Sequence, residues 1–190
     1  MKNRTTELIF GKTGTGKSTL ARMLIKNYDR VIIIDPMHEY EGIIFYDYYT
    51  LNEYHRHNKL ENFVYVCRFS DDLDIEYLFK FCKVIGNILL VLEECSMYVS
   101  PQSKSNEFLN IIRFGRHYNI SLLGISRRTT ELHNDLKAII DTIYSFKQVL
   151  PNDLLKMQRL DFENLESLIS LSDVPFREPQ ENIHYKKINY

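Results

Sequence analysis

The sequence predicts an α/β fold, a parallel sheet sandwiched between helices, on three observations. Short β-rich runs alternate with stretches of helical periodicity along most of the chain. Two of those runs, at 31–35 and Ile88–Leu92, are continuously apolar up to an acidic end, as strands buried on both faces must be. A glycine-rich turn stands between the first strand and the first helix.

Thr6–Phe10 is the first strand, and residues 17–28 form a helix with Leu20, Leu24 and Ile25 on one face. Strands follow at 31–35, at 43–46 as a short edge strand, and at Phe63–Cys67. Residues 72–84 place Leu73, Tyr77, Leu78 and Phe81 at i, i+4, i+5 and i+8, the spacing of a helical face. Ile88–Leu92 is a strand, 106–118 a helix, 121–126 and Thr142–Phe146 strands. Beyond Pro151 come two short helices, 152–158 and 162–171, then a polar tail with a final strand at 183–188. With 190 residues the chain suits one domain, its core at about 5–150 and a C-terminal extension at 151–190.

Composition narrows the function classes. At 44% hydrophobic and 26% charged the chain has the balance of a globular protein, which excludes a disordered one. No apolar run approaches the roughly 20 residues of a membrane span, and Met1-Lys2-Asn3-Arg4 opens no secretory signal, so the cytoplasm is the expected location. The three cysteines show no CxxC spacing, which points to buried free thiols rather than a zinc site or a disulfide framework. Basic and acidic residues nearly cancel, 24 against 25. A globally basic protein that coats nucleic acid is thereby excluded, and any such contact must come from a local patch or a ring of subunits.

Gly11-Lys12-Thr13-Gly14-Thr15-Gly16-Lys17-Ser18 matches G-x-x-x-x-G-K-[ST], with an apolar strand before it and an amphipathic helix after it. The glycines let backbone N–H groups approach phosphate oxygens, and the helix start turns its positive end toward the same anion. Lys17 supplies a point charge for the β and γ phosphates, Ser18 a hard oxygen for Mg²⁺, and Thr19 continues the loop into the helix. These residues predict binding of a nucleoside triphosphate, ATP with Mg²⁺.

The strand Ile88–Leu92 delivers Glu93 and Glu94 to the carboxyl edge of the sheet, where ligands of open α/β sheets sit. Neighbouring strand residues point to opposite faces, which predicts separate tasks. Glu93 is the candidate to hold Mg²⁺, directly or through water, and Glu94 the candidate to polarise the attacking water. The chemistry expected is hydrolysis of ATP to ADP and phosphate.

Four segments resemble the HerA/FtsK superfamily of P-loop ATPases: the phosphate loop; Ile33-Ile34-Asp35-Pro36-Met37-His38-Glu39-Tyr40; the acidic strand running into Cys95-Ser96-Met97-Tyr98; and Arg113-Phe114-Gly115-Arg116-His117 with Leu122-Leu123-Gly124-Ile125-Ser126-Arg127-Arg128. The chain departs from the family pattern twice, with Glu93-Glu94 where Asp-Glu is usual and Arg127 where a sensor glutamine is usual. An arginine accepts no hydrogen bond, so the resemblance leaves Arg127 to contact the γ-phosphate, or Ser126 to act as sensor. The resemblance implies a RecA/ASCE-like sheet and a homo-oligomeric ring, usually hexameric, that drives double-stranded DNA. It also implies active sites between subunits, with Arg116 and Arg113 the candidates for an arginine donated across the interface, or else members of surface ion pairs.

So short a chain resembles the packaging ATPases of membrane-containing icosahedral viruses, which implies capsid or portal-vertex partners and association with the virion or the host cytoplasm; a small plasmid or phage protein is an equally economical source. A Zot-like phage assembly protein is the alternative; a small-molecule kinase is disfavoured because no arginine-rich lid segment is present. His55-Arg56-His57 and Lys59 read as a solvated loop. Tyr46, Tyr48, Tyr49 and Tyr54 read as packing residues. Lys104, in the polar loop at 100–105, is placed at a central pore by the resemblance.

Overall fold

In the computed structural model, which describes residues 4–98, 105–130, 134–160, 171 and 185–190, eight strands form one sheet. They are β1 (Thr6–Phe10), β2 (Arg30–Ile34), β3 (Ile43–Phe45), β4 (Phe63–Cys67), β5 (Ile88–Leu92), β6 (Ile120–Ser126), β7 (Thr142–Phe146) and β8 (Tyr185–Asn189). Their order across the sheet is β3-β4-β2-β5-β6-β1-β7-β8. Every neighbouring pair is parallel except β7 and β8, so seven strands end at the same edge.

The helices are α1 (Lys17–Ile25), α2 (Tyr48–Asn58), α3 (Asp72–Ile85), α4 (Asn106–Phe114), α5 (Asn134–Lys137) and α6 (Pro151–Gln158). Alternate residues of the central strands feed two separate cores. Leu8, Phe10, Ile32, Ile34, Leu90 and Leu92 face the side covered by α2, α3 and α4. Ile9, Val31, Ile33, Val91, Leu123 and Ile125 face α1 through Leu20, Ala21 and Ile25. Burial on both faces explains why β5 and β6 carry no exposed residue. α3 adds Ile75, Leu78, Phe79, Phe81 and Cys82 to the first core, and each large apolar side chain contributes about 1.5–3 kcal/mol by leaving water.

Local chemistry sets the helix ends. The carboxylates of Asp47 and Asp71 accept from the N–H groups of Thr50 (2.8 Å) and Leu73 (2.7 Å), and the Ser105 hydroxyl accepts from Phe108 N–H (3.1 Å). Most boundaries shift by one or two residues, and three differences have a local cause or a larger extent. The first helix stops at Ile25, because Asn27 turns its amide onto Leu24 O while Tyr28 swings away to bond Thr5. The helix expected at 106–118 tightens at Gly115 into a 3₁₀ turn, Gly115–Tyr118. His55-Arg56-His57 belongs to α2 and not to a loop; His55 stands against Tyr65, with Nδ1 3.1 Å from the phenol oxygen.

Of the four tyrosines, Tyr48 and Tyr54 pack against the core and Tyr46 and Tyr49 are exposed. Cys67, Cys82 and Cys95 are buried free thiols, as expected. The final strand lies at Tyr185–Asn189 and closes the sheet antiparallel to β7. The helix expected at 162–171 and the loop carrying Lys104 lie outside the described residues, Leu171 apart. Among the described residues no helix is long and apolar enough to cross a membrane.

Candidate active site

The glycine loop leaves β1 at Gly11, whose φ of 154° and close approach to β7 leave no room for a side chain. A Cβ there would fall 2.5 Å from Phe146 Cβ. The loop is braced both from the segment after β7 and from within. Lys12 N–H donates to Lys147 O (3.3 Å), and Lys12 O accepts from Thr15 Oγ1 (2.9 Å) and Lys17 Nζ (3.1 Å). Thr15 is thus turned inward, whereas Thr13, Gly14, Gly16, Lys17, Ser18 and Thr19 line a cleft of about 700 Å³. Burial lowers the Lys17 ammonium pKa, with Glu93 and Glu94 opposing the shift.

The far wall of the cleft holds Glu93, Glu94 and Arg127. Alternation along a strand would have sent the two acids to opposite faces, but β5 ends at Leu92. Glu94 adopts the left-handed conformation (φ 50°, ψ 51°), which swings its side chain back to the side of Glu93. This turn is pinned where Cys95 packs on β6: a Cβ at Gly124 would lie 3.3 Å from Cys95 Sγ and 2.6 Å from Leu8 Cδ2. Glu94 Oε1 accepts from Arg127 Nε at 2.6 Å. Ser126 turns its hydroxyl to the backbone of Arg128.

Glu93 is nearly sealed from solvent, and burial pushes its carboxyl up to about 7 against the opposing influence of the Tyr40 hydrogen bond. Its Oε2 accepts from Tyr40 Oη at 2.6 Å. Tyr40 is held in turn by Asp35, a fully buried carboxylate at the end of β2. Asp35 collects the N–H groups of Glu39 (2.8 Å) and Tyr40 (3.2 Å) and the guanidinium of Arg68 (3.1 Å). Arg22 of α1 donates to Glu39 O (2.9 Å) and lies 5.9 Å from the Tyr40 ring centroid. Of these supporting residues, sequence reasoning named Asp35 and Tyr40 only within a motif, and it missed Arg22 and Arg68.

Two expected site residues stand elsewhere. Arg113, at the end of α4, pairs with Asp135 at 3.0 Å. Arg116 lies in the 3₁₀ turn leading into β6. Since β1 and β6 run parallel, that turn is at the opposite sheet edge from the cleft of its own chain. Arg128 joins Asp153 of α6 at 3.3 Å.

What the cleft can do chemically follows from its donors: backbone N–H groups and an ammonium for an anion, hard oxygens on Ser18 and Glu93 suited to Mg²⁺, and a second carboxylate beside them.

No curated protein sequence matches the chain. Solved structures share its fold. The genome packaging NTPase B204 of Sulfolobus turreted icosahedral virus 2, in complex with ATP-gammaS, superposes with a TM-score of 0.74 at 17% identity, over 100% of this chain and 93% of that one. VirB4 of Thermoanaerobacter pseudethanolicus gives 0.62 at 16% identity, over 90% and 84%. The N-terminal domain of zonular occludens toxin from Neisseria meningitidis gives 0.53 at 14% identity, over 84% and 91%. The family model described as Helicase HerA, central domain (DUF87), matches residues 7–190. The chain therefore belongs to the HerA central-domain family, within the HerA/FtsK-like P-loop ATPases.

Proposed function

We propose that the chain is an ATP-hydrolysing motor that translocates double-stranded DNA, packaging a viral or phage genome into a capsid. The observation that carries this reading is the convergence of Lys17, Ser18, Glu93, Glu94 and Arg127 on one cleft, in a chain that shares its whole length with a genome packaging NTPase. ATP is the substrate. Its phosphates lie on the loop N–H groups, with the Lys17 ammonium leaving Lys12 O to meet the β and γ oxygens. Ser18 and Glu93 hold Mg²⁺, directly or through water, and the metal supplies neutralisation of phosphate charge when bound. Glu94 aligns the attacking water and takes its proton, which requires its bond to Arg127 to loosen.

Arg127 has a second anion to turn to in the γ-phosphate, so nucleotide and Glu94 compete for one guanidinium. Arg116 or Arg113 reaches the cleft of a neighbouring subunit in a ring, since neither reaches its own. The near-zero net charge leaves DNA contact to local cations repeated around that ring.

Steady-state ATP turnover with and without duplex DNA tests the reading, with Lys17→Ala as the blank. The expected result is stimulation by DNA that vanishes in Lys17→Ala, and a loss of about a hundredfold or more in Glu94→Gln, the scale of a missing general base. Full activity in Glu94→Gln would overturn the assigned chemistry. The likeness to the zonular occludens toxin domain favours a second reading, an assembly ATPase that moves no DNA. Turnover indifferent to DNA, with capsid or membrane proteins recovered as partners, would select it.

A further inference from the structure

We propose that Tyr40 is a positioning residue, its phenol holding the Glu93 carboxylate in the orientation that meets the Mg²⁺ of the bound nucleotide. The inference rests on the reading of the cleft as a Mg²⁺–nucleotide site. It starts from a difficulty in the sequence. Glu93 follows the last residue of β5, and a glutamate carries its carboxylate on three rotatable bonds. So flexible an acid serves an ion at one fixed place only if that freedom is removed.

The structure removes it. The Glu93 backbone is fixed by its N–H donating to Ile34 O at 3.1 Å. The far end of the side chain is fixed by Tyr40 Oη donating to Oε2 at 2.6 Å, with Tyr40 3% and Glu93 4% exposed. One carboxylate oxygen is thus taken by the phenol, and Oε1 is left for the cleft.

Tyr40 is itself held, at its backbone and at its ring. Asp35 accepts from the Tyr40 N–H, Arg68 Nη2 donates to Tyr40 O at 3.0 Å, and the Arg22 guanidinium stands over the ring. An unbroken run of buried contacts therefore leads from the end of β2 to the acid at the end of β5. Such outer partners orient a ligand and commonly matter to metal affinity by about 10–100-fold. A phenol that only satisfied a buried carboxylate would affect folding stability and nothing else.

The two roles separate in a binding experiment. Affinity for a fluorescent ATP analogue is measured in EDTA and in saturating Mg²⁺, and the ratio is the gain due to the metal; melting temperature is recorded alongside. Tyr40→Phe keeps the ring under Arg22 and deletes the donor. Its affinity in EDTA should equal that of the wild type, while the gain due to Mg²⁺ falls about tenfold or more.

Glu93→Asp supplies the second arm. It keeps the negative charge, but its shorter carboxylate retreats beyond hydrogen-bond range of the phenol, so its gain should fall as well. Adding Tyr40→Phe to it should change nothing further. A wild-type gain in Tyr40→Phe, with or without a lower melting temperature, would overturn the proposal, as would a larger gain in Glu93→Asp. A wild-type protein that binds no nucleotide, or binds it equally with and without Mg²⁺, would instead overturn the reading of the cleft itself.

Discussion

Arg127 and Glu94 form a partly exposed ion pair, with about half of the arginine side chain open to solvent. Pairs of that kind contribute about 0–1 kcal/mol to folding, so the contact matters for which groups it occupies rather than for stability. Arg127→Ala should leave the melting temperature within a few degrees of the wild type. It should raise DNA-independent ATP turnover several-fold, because Glu94 is then free to meet water. A drop in basal turnover would instead make Arg127 a phosphate contact first.

How well single residues could be read from the sequence depended on distance along the chain. The phosphate loop was legible because its side-chain hydrogen bonds close within five residues, as from Lys17 Nζ to Lys12 O. The Tyr40–Glu93 bond spans 53 residues and depends on β2 lying beside β5, which no local pattern states. The alternation argument for Glu93 and Glu94 failed for a related reason: it extended strand geometry past Leu92 into a left-handed turn.

At the scale of elements, the apolar strands were legible because burial on both faces writes an uninterrupted apolar run. α2 was not: among its eleven residues only Leu51 is fully buried, too few to mark a stripe, although the Asp47 cap was present in the sequence. The partner of β8 was also hidden, since its burial alternates weakly and its pairing with β7 is long-range.

α6 is tied to the segment after β6 by one acid. Asp153, 2% exposed, accepts from Arg128 Nε (3.3 Å), from Thr129 Oγ1 (3.4 Å) and from Thr130 Oγ1 (3.0 Å). It also stands in the first turn of α6, where a negative charge suits the helix dipole. Asp153→Ala removes that buried acceptor, and denaturant unfolding should show a loss of about 2 kcal/mol. An unchanged midpoint would mean that water replaces the carboxylate at no cost.

At the scale of the whole molecule, β6 lies between the strand that feeds the phosphate loop and the strand that delivers the acids. Its carboxyl end leads to Arg127 in the cleft, and its amino end follows Arg116 at the opposite edge. One chain therefore presents the cleft and a candidate arginine on two different surfaces, the arrangement a shared active site would need. Mixing Lys17→Ala with Arg116→Ala, each inactive alone, should restore turnover if Arg116 works across an interface. The same mixture with Arg113→Ala decides between the two arginines, and no recovery in either would remove the shared site.

The three cysteines have a chemical consequence at this scale. Cys67 in β4, Cys82 in α3 and Cys95 beside Glu94 are all fully buried, and burial pushes the Cys67 and Cys82 thiols well up from their ordinary range. Since the thiolate is the reactive form, the folded chain withholds access to all three sulfurs, and at Cys67 and Cys82 the nucleophile as well. Modification has to wait for the protein to open, and of the three sulfurs Cys95 rides on the very turn that carries the catalytic candidate. The chain thus holds an internal clock for the opening of its own acidic turn.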